Sequence, residues 1–105
     1  MRGVRIHGDI FGLPEEALRS LSRPPFDEVV FEDGVLRIDH EGYADVEGFL
    51  DELVRLLPAG GHGRLDLIDK PNWEMTRYQI EPGRWRAVRV PVDSVMETVM
   101  GKAGV

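Results

Sequence analysis

The sequence predicts an α+β fold: a two-layer arrangement in which helices pack on a mainly antiparallel sheet. Three observations predict it. An Asp33-Gly34 pair sits between two β-rich runs. The stretch from Val46 to Leu57 repeats apolar residues at helical spacing. The segment from about 64 to 91 reads as three strands broken by two turn signals. Strands and helices interspersed in this way favour a sheet with helices laid on it.

The first element is a strand over residues 3–7, where Val4 and Ile6 alternate with Arg5 and His7. Gly8 to Gly12 reads as a connection. Pro14 then suits the first position of a helix, and Glu15 and Glu16 suit its positive N-terminus. Leu13, Ala17, Leu18 and Leu21 form its narrow apolar stripe, and Arg23-Pro24-Pro25 ends it.

Val29-Val30-Phe31-Glu32 and Val35-Leu36-Arg37-Ile38 flank Asp33-Gly34. Asp-Gly supplies the positive φ angles of a two-residue hairpin turn. That register sets Phe31 against Leu36 and Val29 against Ile38, all on one face. Asp45 is a candidate cap for the next helix, whose apolar positions are Val46, Phe49, Leu50, Leu53, Leu56 and Leu57. Pro58, Gly60 and Gly61 stop it.

Three strands are then expected, at about 64–69, 74–80 and 85–91. Asp69-Lys70-Pro71-Asn72 makes the first turn and Glu81-Pro82-Gly83-Arg84 the second. Ser94 and Glu97 have capping-box spacing, and Val95, Met96, Val99 and Met100 give a short final helix its apolar side. The expected order is β-α-β-β-α-β-β-β-α. It opens as a split βαβ, ferredoxin-like unit and adds a C-terminal hairpin and a short helix. Residues 1–105 are expected to form a single domain.

Composition narrows the function classes. The apolar fraction of 42% and charged fraction of 30% are those of a globular chain. There is no cysteine, so thiolate metal sites, cysteine nucleophiles and disulfides are excluded. No run approaches the roughly 20 apolar residues of a membrane helix, so the expectation is a cytoplasmic protein with no membrane partner. Of the 13 basic residues only Lys70 and Lys102 are lysine, a codon-usage pattern of GC-rich bacterial genomes. A net charge of −6 argues against nucleic acid, whose phosphates need a basic face.

Catalytic chemistry is poorly supplied, and no catalytic residue is assigned. Gly60-Gly61-His62-Gly63 follows a helix, the reverse of a phosphate-binding loop, which runs from strand to helix N-terminus. Ser20, Ser22 and Ser94 lie on or beside helices and none occupies a nucleophile elbow. His7, His40 and His62 are far apart in sequence and form no metal-ligand pattern. No cofactor and no metal are expected. Asp39-His40-Glu41 is the alternative ligand site, since a carboxylate beside an imidazole can form an acid–base pair or half a metal site. On an extended chain, however, only Asp39 and Glu41 share a face.

The last hairpin carries apolar groups on both faces. Tyr78, Ile80, Trp85 and Ala87 take one, and Met75, Val88 and Val90 share the other with Arg77, Gln79 and Arg86. A half-exposed antiparallel sheet would alternate cleanly, so each side should be covered, one of them by the final helix or a second copy of the chain. Aromatics and arginine are enriched at protein interfaces. Trp73, Arg77, Tyr78, Trp85 and Arg86 are therefore the candidate interaction face, with Arg84 at its margin. The sequence points to a non-catalytic protein-interaction or self-associating domain.

Overall fold

The structure is a computed structural model and describes residues 3–91. The described residues form a small α+β protein with two helices and a six-stranded antiparallel sheet. It runs β1 (Val4–Phe11), α1 (Glu15–Ser20), β2 (Glu28–Glu32), β3 (Val35–Glu41), α2 (Val46–Leu56), β4 (His62–Asp69), β5 (Glu74–Glu81) and β6 (Arg84–Pro91). The strand order across the sheet is β2-β3-β1-β4-β5-β6. The helix expected over 94–100 lies outside the described residues. No described helix is long and apolar enough to cross a membrane.

The β2–β3 hairpin turns through Asp33 and Gly34 with φ of 54° and 80°. Phe31 pairs with Leu36 and Val29 with Ile38. Helix α2 begins where the Asp45 carboxylate accepts the Gly48 amide at 3.0 Å. Its Val46, Phe49, Leu50, Leu53 and Val54 are buried. They pack with Ile6, Ile10, Leu36, Ile38, Leu65, Tyr78 and Ile80 from one face of the sheet. The Gly83 amide donates to the Val54 carbonyl at 2.9 Å, which ties the β5–β6 turn to α2.

Two boundaries differ from the sequence reading. Residues 8–11 are not a connection: β1 continues through them to Phe11, paired with both β3 and β4. Glycine is tolerated there because a Cβ at Gly8 would collide with the backbone of Arg64 and Leu65 on the neighbouring strand. Ile10 is fully buried, and a central strand stabilised from both sides overrides the weak local preference. Strand β3 likewise runs past the Val35–Ile38 run through Asp39, His40 and Glu41.

The opposite face of the sheet is crossed by rungs that follow from the register. One reads Glu28, Asp39, His7, Asp66, Arg77, Val88, and the next Val30, Arg37, Asp9, Arg64, Gln79, Arg86. Among the described residues no helix lies on this face. Opposite charges meet along these rungs in the Arg77–Asp66 and Arg37–Asp9 pairs, the first of which compensates the buried Asp66 carboxylate.

Candidate functional site

The expected interaction residues divide among three places. Tyr78 and Trp85 lie on the core side of the sheet, ring centroids 5.7 Å apart and edge to face. Tyr78 is buried and Trp85 packs partly buried against the core. The Trp85 indole N–H donates to the Asp51 carboxylate at 2.8 Å, so the ring has a polar anchor on α2. Burial pushes the Tyr78 phenol pKa up.

Arg77 and Arg86 project from the other face. The Arg77 guanidinium grips buried Asp66 with two bonds, of 2.9 and 3.2 Å. Those bonds raise the arginine's pKa. Arg86 donates to the Gln79 side chain at 2.6 Å.

Trp73 stands apart from both groups. It is 59% exposed and sits in the four-residue connection between β4 and β5. Its φ is +53°, in the left-handed region. A bulky residue there is a conformational outlier, retained only where the surroundings over-determine it.

The turn supplies that determination. The Trp73 amide donates to the Lys70 carbonyl at 3.1 Å, and the Lys70 amide to the Gly3 carbonyl at 2.8 Å. The Pro71 ring lies directly on Gly3, where a Cβ would collide with it. The Asp69 carboxylate accepts the Asn72 side-chain amide at 2.8 Å and the Asn72 backbone amide at 3.4 Å. It also accepts the Tyr43 hydroxyl at 3.2 Å. The bonds from Asn72, and then that from Tyr43, hold the Asp69 carboxyl below its ordinary value. In return, Asp69 raises the Tyr43 pKa by accepting a hydrogen bond from its hydroxyl and by charge repulsion of the phenolate.

Tyr43 was not singled out from the sequence. It is 61% exposed and joins the Trp73 turn through that hydroxyl bond. Its only sequence signal is an aromatic residue beside Gly42 in a short loop.

The Asp39-His40-Glu41 triplet does not converge. The Asp39 carboxylate pairs with the Arg5 guanidinium at 2.8 and 3.1 Å, which lowers its pKa. His40 points to the core side at the sheet margin, edge to face with Phe26. Its Nδ1 accepts the Asp27 amide at 3.0 Å, and its Nε2 lies 3.2 Å from the Tyr43 carbonyl oxygen. Together these bonds select the tautomer with the proton on Nε2. His40 thus fixes the backbone that presents Tyr43. Glu41 is exposed. Among the described residues no three histidine or carboxylate side chains are grouped to hold a metal ion.

A concavity of about 360 Å³ lies on the helix-free face. The cross-strand pairs His7–Asp66, Asp9–Arg64 and Phe11–His62 line it. The Phe11 and His62 rings stack at 5.1 Å.

Comparison of the chain with protein-family models, curated proteins and solved structures finds no match.

Proposed function

We propose that this chain is a non-catalytic interaction domain whose contact centre is the turn bearing Trp73, with Tyr43 anchored to the same turn. The observation that carries this reading is Trp73 itself. A tryptophan left 59% exposed at positive φ costs conformational energy, and its exposed surface is available to a partner. Tryptophan and tyrosine are also the side chains that dominate binding hot spots. Asp69, Asn72, Lys70 and Pro71 hold the backbone of the turn, so the Trp73 position is organised before a partner arrives, which lowers the cost of binding. The partner is a protein surface with an apolar pocket, either another protein or a second copy.

The sheet order β2-β3-β1-β4, antiparallel at every step, supports reading the first six elements as a split βαβ unit. On that reading β5 and β6 are an addition that brings the Trp73 turn with it. The alternative, a ligand or metal site on Asp39, His40 and Glu41, finds no support in the separate commitments of those three side chains.

The test is affinity capture from the native cell with wild-type and Trp73→Ala baits, read by quantitative mass spectrometry. A protein retained by wild type and reduced at least tenfold with Trp73→Ala supports the proposal. Identical profiles for both baits overturn it.

A further inference from the structure

We infer that copies of this chain join head to tail, the β6 edge of one pairing antiparallel with the β2 edge of the next. The two strands are the outer edges of the sheet, and neither has a second partner among the described strands. An edge strand carries unpaired amides and carbonyls that template further pairing.

The charges of the edges are opposite. Strand β2 carries Glu28 and Glu32, whereas β6 carries Arg84, Arg86 and Arg89. Glu28 and Glu32 make no ion pair among the described residues. Arg84 pairs within its own hairpin with Glu81, and Arg89 lies 3.7 Å from Glu74. Arg86 contacts the neutral Gln79. Like charges oppose β2 on β2 or β6 on β6, leaving the mixed pairing.

Direction agrees as well. Six strands alternate in sense, so a second sheet placed edge to edge in the same orientation meets the first antiparallel. Its helices then fall on the same side.

Backbone geometry fixes which residues meet. Both hairpins close through two-residue turns, so Glu32–Val35 and Glu81–Arg84 are hydrogen-bonded pairs. Counting in twos from there, the amides and carbonyls of Val29 and Phe31 point outward on β2. Those of Trp85, Ala87 and Arg89 point outward on β6. Setting Phe31 against Ala87 and Val29 against Arg89 satisfies the ladder. The same register puts Glu32 opposite Arg86 and Val30 opposite Val88. Val30 and Val88 are 52% and 37% exposed, and they lie on the same face of their respective edges. Sliding by two residues toward Arg84 would instead set Val30 against Arg86. The ladder ends naturally, at the Asp33 turn on one side and at Pro91, which lacks an amide donor, on the other.

Five residues a side make a small contact, so association is weak and salt-sensitive. The interface is also heterologous, so a joined pair leaves one β2 edge and one β6 edge open to further copies.

Sedimentation velocity up to millimolar protein tests the inference with three edge variants. Val30→Lys disables β2 only. Ala87→Pro removes an outward amide of β6 only, and Val88→Lys serves as its backbone-neutral counterpart. Circular dichroism confirms that each is folded. Wild type is expected to grow in average mass with concentration, and each variant alone to stay monomeric. An equimolar mixture of a β2 variant and a β6 variant is expected to stop at twice the monomer mass. A monomeric wild type, or a mixture that stays monomeric, overturns the inference. So does a single variant that still dimerises, because that pairing would be between like edges. Loss of association in Trp73→Ala would move self-contact to the turn and also overturn it.

Discussion

Trp73 and Trp85 lie in the same half of the sheet and end in opposite circumstances. Trp85 follows a two-residue turn whose tip is bonded to α2. Its strand phase puts the ring on the core side, where Tyr78 and Asp51 receive it. Trp73 closes a four-residue connection pinned to the start of β1. Its backbone enters the left-handed region, and the ring is left in solvent. The same side chain thus stabilises the fold in one place and is free for contact in the other. The difference is made by backbone geometry and by distance from α2, not by residue type.

The largest expected effect breaks the comparison at the folded end. Trp85→Ala removes a half-buried ring and an indole bond, and should cost about 2–3 kcal/mol in urea unfolding. Trp73→Ala should change stability by less than about 0.5 kcal/mol, since it removes an exposed side chain. Equal losses would show that Trp73 is also a packing residue.

A smaller effect of opposite sign sharpens the contrast. Trp73→Gly relieves the left-handed strain of about 1–2 kcal/mol and gives back part of it as unfolded-chain entropy. A net gain of about 0.5 kcal/mol is expected, a rise of roughly 2–4 °C in melting temperature. A variant more stable than wild type but poorer in capture would indicate strain retained for contact rather than for folding. A fall in melting temperature would show that the ring contributes to the turn.

The smallest effect is in pH dependence. The folded Asp69 carboxyl lies below its ordinary value of 3.8. Its contribution is therefore present above that value and lost as pH falls through the folded pKa. Asp69→Asn should remove this acid-side slope, so the stability difference from wild type narrows below pH 3.8. A difference that stays constant to low pH would show that the charge does not hold the turn.

Much of the architecture was legible locally. The Asp33-Gly34 turn and the spacing around Leu50 each require only neighbouring residues, and turn chemistry and hydrophobic phase agreed in the β2–β3 register. The continuation of β1 past Gly8 was not legible, because its cause is the approach of Arg64 and Leu65 from another strand. The candidate site was only partly legible. Trp73 stood out as a residue type, but not its positive φ. Tyr43 joins it through Asp69, twenty-six positions along the chain. His40 was read from its neighbours Asp39 and Glu41, whereas its hydrogen-bond partners Asp27 and Tyr43 come to it only when the sheet margin closes.

The sequence by itself determined the α+β class, the Asp-Gly hairpin and the apolar face of α2, since periodicity and turn preference act over a few residues. Tertiary structure alone decided which tryptophan is packed and which is presented, and it gathered Tyr43, Asp69 and Trp73 at one end of the sheet. Those outcomes depend on contacts between segments distant in the chain, and no local pattern encodes the distance between them.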